Sequence, residues 1–305
     1  MCGIVGAIAE RNVVPVLMEG LRRLEYRGYD SAGLAVLSDG QLRRQRRQGK
    51  VAELQSALDA EPLSSHIGIA HTRWATHGVP SERNAHPHIS YDGLAIVHNG
   101  IIENHEQLRA ELKQLGYVFA SDTDTECIAH RIHHHLKTQP DLYAAVRATV
   151  AELHGAYALV VMSEADPGLL VLARCGCPVV VGLTDNGNFV ASDVSALLPV
   201  TRRFIFLDEG DVAEIRQTAI RVTDVDGKPV EREEKLSELS ADAAEKGQYP
   251  HYMLKEIHEQ PRAVAQTLEE RVANGKLLEA AFGPAAGEVF ARVEAVHIVA
   301  CGTSF

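Results

Sequence analysis

The chain has 305 residues, 46% hydrophobic and 23% charged, which fits two globular domains of roughly 150 residues each and excludes disordered, collagen-like and coiled-coil classes. Acidic residues outnumber basic ones by 41 to 30, a net charge of −11, so neither nucleic acid nor an anionic membrane is expected as a partner. The five cysteines are scattered and odd in number, and no apolar stretch reaches the ~18 residues of a membrane span; a soluble protein in a reducing, cytoplasmic setting is the expectation.

In chain order, CGIVGAIA opens the sequence as a buried strand. Val13, Val14, Leu17, Leu21 and Leu24 then recur at helical spacing behind a capping Asn12. SAGLAVL, HIGIAHTR and GLAIVHNG read as further strands. Asn104 with Gln107 has the form of a capping box for a helix carrying Leu108, Leu112 and Leu115. Thr123 with Glu126 starts another helix, with Ile128, Ile132 and Leu136 on its face. From Tyr157 to about Asp224 the pattern is nearly all strand, broken by Gly, Pro, Asp and Asn. Strands at both ends with helices between predict stacked antiparallel sheets covered by helices. Residues 225–250 are polar and strongly charged, a linker or surface excursion after a domain at 2–224. Tyr252 to Val272 reads as helix, and AVHIVACGTSF as a buried strand over Val296 to Ala300 entering a small-residue loop. A strand of that kind without a following helix is not a finished domain, so 251–305 is expected to be the truncated start of one.

Four segments could carry chemistry. Cys2 becomes N-terminal if Met1 is removed; its amine, with a reference pKa of about 8, then sits beside a thiol of about 8.5 and can take its proton. Taken alone, Cys2 reads more simply as a small residue opening a strand. HTRWATHG offers Arg73 as a planar fork for a carboxylate, with Thr76 and His77 as donors and Trp74 as a wall. Asn99-Gly100 reads first as a hairpin turn and second as an oxyanion hole, with the Asn99 amide and the Gly100 N–H converging on a developing negative oxygen. Asp124 sits where a carboxylate favours a helix N-terminus, and there it could also take a substrate ammonium.

Other features are read as structural. His130, His133, His134 and His135 are taken as a solvated helix face rather than a metal site. Arg43, Arg44, Arg46, Arg47 and Lys50 are taken as a solvated strand face. Cys175-Gly176-Cys177 is taken as small residues at a turn. No metal or cofactor is called for.

MCGIVGAI, LRRLEYRGYDSAGLAV, HTRWATHG, VHNGIIENHE, SDTDTE and HGAYAL, in this order, resemble the glutaminase domain of the class II glutamine amidotransferases, an N-terminal-nucleophile family. YRGYDSAG, the KEIHEQP segment and the terminal CGTSF narrow the likeness to the branch that passes ammonia to fructose 6-phosphate. The resemblance implies a four-layer αββα sandwich followed by the start of a doubly wound α/β sugar-phosphate isomerase domain. It implies Cys2 as nucleophile and base, Asn99 and Gly100 as the oxyanion hole, and Arg73, Thr76, His77 and Asp124 as the L-glutamine site. Trp74 would gate the pocket and Arg27 line it. Cys301, Gly302, Thr303 and Ser304 would begin the sugar-phosphate site, and the full-length protein would be a homodimer. Fructose 6-phosphate would be used only with the rest of that domain, leaving this chain a glutaminase. Another class II amidotransferase, feeding phosphoribosyl pyrophosphate or asparagine synthesis, and a non-catalytic amino-acid sensor are the alternatives.

Overall fold

The computed structural model describes residues 2–75, 77–237, 248–268, 272–273, 276–277 and 286–297, without the side chains of Arg27, Arg262, Gln266 and Ala273. The chain divides into one unit up to residue 245 and a second from 246.

The first unit is built from two antiparallel sheets. Its strands are β1 (Gly3–Ala9), β2 (Ser31–Ser38), β3 (Gln41–Gln48), β4 (Ile67–Arg73), β5 (His88–Ser90), β6 (Leu94–Ile102), β7 (Gly155–Ser163), β8 (Asp166–Cys175), β9 (Val180–Thr184), β10 (Gly187–Ala191), β11 (Arg203–Phe206), β12 (Val212–Ile215), β13 (Ile220–Thr223), β14 (Pro229–Val230) and β15 (Glu234–Leu236). One sheet runs β15-β11-β9-β10-β1-β4-β2-β3 and the other β14-β13-β12-β8-β7-β6-β5. Helices α1 (Val14–Leu24) and α2 (Val51–Ala60) lie on the first; α3 (His105–Gln114), α4 (Asp124–Leu136) and α5 (Leu142–Val150) lie on the second.

Side chains alternate across a strand, and here both faces are covered. In β1, Val5, Ala7 and Ala9 pack under α1 while Ile4 and Ile8 enter the layer between the sheets. In β7, Tyr157, Leu159 and Val161 meet α4 and α5, whereas Ala158, Val160 and Met162 enter that same middle layer. Hence the strands read as unbroken apolar runs. The architecture is a four-layer αββα sandwich.

Three local expectations change. Asn104 does not cap α3 with its side chain; it donates to Glu152 O at 2.9 Å and accepts from His154 N at 3.0 Å, and Leu115 is exposed. His130 and His133 are buried, not solvated: His130 Nδ1 meets Ser90 Oγ at 2.8 Å, and His133 bridges Tyr117 Oη at 2.7 Å and Asp92 Oδ2 at 2.9 Å. The basic run is partly bonded: Arg46 donates to Ala85 O at 2.8 Å and Arg44 to Pro87 O at 3.2 Å, which pins the segment carrying His86. Cys177 N donates to Cys175 O at 2.8 Å, closing the tight turn expected there.

Strands β14 and β15 fall within the charged segment 225–250 and add edges to both sheets. In the second unit, α6 (Tyr252–Leu268) precedes a two-stranded pairing of β16 (Val272–Ala273) with β17 (Lys276–Leu277), and a short helix α7 (Ala286–Phe290). Of the strand expected over 296–300, Val296 and His297 are not in a strand; the remainder, with Cys301, Gly302, Thr303 and Ser304, lies outside the described residues. No helix among the described residues is long and apolar enough to cross a membrane.

Candidate active site

Register brings the site together. In the β1–β4 pairing Gly3 lies opposite Thr72, so Cys2, just before β1, falls beside Arg73 and Trp74 at the end of β4. Asn99 and Gly100 come from β6 of the facing sheet, and Asp124 from the first position of α4. Cys2, Arg73, Trp74, His77, Gly100 and Asp124 line one small pocket.

The Cys2 Sγ accepts the Trp74 main-chain N–H at 3.2 Å. Burial pushes the thiol above its ordinary pKa, and the Trp74 N–H works against that by stabilising the thiolate. A thiol so placed is protonated near neutral pH and needs a base at hand.

Asn99-Gly100 is not a turn. β6 stays paired with β7 through Asn99 opposite Ala158 and Gly100 opposite Tyr157. Gly100 has φ of +123°, a conformation that glycine adopts without penalty. The Asn99 Nδ2 donates to Cys2 O at 3.3 Å, and its Oδ1 faces His71 Nε2 at 3.0 Å.

Arg73 is almost wholly buried. Its Nη2 donates to His77 O and, at 3.1 Å, to Gly78 O; its Nη1 stands 3.6 Å from Asp30 Oδ1 and makes no hydrogen bond. One arm of this buried guanidinium is spent on the main chain and the other faces Asp30 without a hydrogen bond, which leaves it a donor for a carboxylate. Asp124 Oδ2 accepts the Ile102 N–H at 2.9 Å and lies 3.8 Å from His77 Nδ1. Cation and carboxylate therefore share one cavity with a thiol, the pattern an α-amino acid with a reactive side chain requires. Trp74 is half exposed and its ring covers Gly28. Thr76 and the Arg27 side chain lie outside the described residues.

Sequence reasoning missed the frame beneath the site. His71, His86, His88 and His98 are all buried. Thr125 Oγ1 bridges His86 Nε2 at 2.8 Å and His98 Nδ1 at 2.9 Å, and Thr123 Oγ1 meets His88 Nε2 at 3.1 Å. Burial lowers the pKa of all four, that of His71 to about 3, so they are neutral. The available signal was a histidine inside an apolar strand at position 71 and the His86-Pro87-His88 repeat.

The family described as glutamine amidotransferase domain matches residues 71–199. The glutamine–fructose-6-phosphate aminotransferase (isomerizing) of Pseudomonas syringae pv. tomato is 60% identical over all of this chain, and that of Shewanella oneidensis 59%. The chain spans about half the length of these relatives, 50% in each case. Among solved structures, the glutamine phosphoribosylpyrophosphate amidotransferase of B. subtilis, complexed with ADP and GMP, is similar with a TM-score of 0.65 and 26% identity, over 73% of this chain and 49% of that one.

Proposed function

We propose, from the glutamine amidotransferase match over residues 71–199 and the 59–60% identity to half the length of the glutamine–fructose-6-phosphate aminotransferases, that this chain hydrolyses the side-chain amide of L-glutamine through a Cys2 thioester. One observation carries the reading: the Cys2 thiol opens onto a small cavity that also presents Arg73, Asp124 and Gly100.

The glutamine carboxylate accepts from Arg73 Nη1, which also faces Asp30, and its ammonium pairs with Asp124, which leaves the side-chain amide toward Cys2. With Met1 removed, the Cys2 amine takes the thiol proton, and the thiolate attacks the amide carbon. The tetrahedral oxyanion meets the Asn99 Nδ2–H and the Gly100 N–H. The amine returns its proton to the departing nitrogen, the C–N bond breaks, and ammonia leaves a glutamyl thioester. Water, activated by the same amine, attacks that thioester; the C–S bond breaks and glutamate departs. The names of the relatives supply the acceptor: joined to the remaining length those proteins have, this domain would deliver ammonia to fructose 6-phosphate, whereas the chain alone would release ammonia and glutamate only.

Cys2→Ala tests the reading. Glutamate release is expected to fall at least a thousandfold while glutamine still binds, by calorimetry, within a fewfold of the unaltered chain. Residual hydrolysis above a tenth of the original rate would remove Cys2 from its role.

A further inference from the structure

An oxyanion hole built on an asparagine amide works only if the amide points the right way. The oxygen and nitrogen of that group are nearly the same size, and a flip would turn a donor into a second negative dipole facing the oxyanion. Something must therefore distinguish the two ends of Asn99.

The residue within reach is His71 on β4. It is fully buried, and its Nε2 lies 3.0 Å from Asn99 Oδ1. Asn99 Nδ2 meanwhile donates one hydrogen to Cys2 O at 3.3 Å. Oδ1 is an acceptor only, so the contact requires a hydrogen on His71 Nε2. A neutral imidazole carries one N–H, which is committed by this bond. The His86 ring stands over His71 at 4.2 Å between centroids and hinders its rotation.

We propose that His71 is the positioning residue of the oxyanion hole: its Nε2–H holds Asn99 Oδ1, so that the second Nδ2–H of Asn99 faces the space beside Cys2. His71 touches no substrate atom in this arrangement; it acts through Asn99. The inference rests on Asn99 being an oxyanion donor.

Steady-state glutamine hydrolysis by the chain tests it. His71→Asn, which offers no donor at the Nε2 position, is expected to lower kcat on the order of ten- to a hundredfold, part of the hundred- to thousandfold that losing one oxyanion donor costs, with KM within about threefold. His71→Gln, which keeps an N–H there, is expected to recover most of that loss. Added to Asn99→Ala, His71→Asn should lower kcat less than about twofold, because the donor it aims is gone. Unchanged kcat in His71→Asn, a loss confined to KM, or losses that multiply in the double variant would overturn the assignment. An Asn99→Ala variant as active as the unaltered chain would instead refute the oxyanion reading itself. Should His71→Asn fail to fold, nitrogen NMR of the unaltered chain decides: an Nε2–H tautomer at His71 supports the proposal, and an Nδ1–H tautomer overturns it.

Discussion

The carbonyl oxygen of Ala156 occupies the space in which a side chain at Gly100 would begin: a Cβ there would lie 1.9 Å from it. Gly100 is thus fixed by the β6–β7 ladder as well as by its positive φ, at a position that lines the pocket. Gly100→Ala is expected to cost about 3 kcal/mol or more, a fall in Tm of about 6–12 °C for a unit of this size, and to reduce glutamine turnover at least a hundredfold. Calorimetry with a glutamate-release assay checks both; a variant of unchanged Tm would show that the ladder yields at this point.

Arg73 makes a different prediction, because the role proposed for it is in ground-state binding. Lysine at 73 retains the charge but cannot reach His77 O, Gly78 O and a ligand carboxylate at once. Arg73→Lys is expected to raise KM for glutamine by about thirtyfold, corresponding to about 2 kcal/mol, with kcat within a fewfold. A large fall in kcat at unchanged KM would place Arg73 in the chemical step instead.

Much of this site was legible in the sequence. Cys2, Arg73, Trp74, His77, Gly100 and Asp124 stand in recognisable motifs, and the structure gathers them around one cavity. The apolar runs identified the middle strands because both of their faces are covered. What was misread depended on partners far along the chain. Asn-Gly is a strong local turn signal, yet at Asn99-Gly100 nine ladder pairs between β6 and β7 override it. Nothing near His130 and His133 announces Ser90, Tyr117 or Asp92. The histidine frame was hidden for the same reason: Thr125 stands 39 residues from His86, and His71 is 28 from Asn99.

That frame predicts acid sensitivity. The folded-state pKa values of His71, His86, His88 and His98 lie below the ordinary 6.5, chiefly through burial. Below pH 6.5 the unfolded chain binds protons that the folded chain does not, so the stabilisation is fully present above that pH. It is lost progressively as pH falls below 6.5, for His71 down to about 3. Urea unfolding between pH 7 and 5 should show stability falling with a slope of more than one proton. A flat profile would mean that these imidazoles are charged or solvated in the folded state.

A Cys2 that is both nucleophile and base demands a free amine. Intact-mass measurement on catalytically active protein, paired with glutamate release from the same sample, tests this most directly. Activity is expected to track the fraction of chains beginning at Cys2. Chains that retain Met1 and still hydrolyse glutamine at the full rate would contradict it.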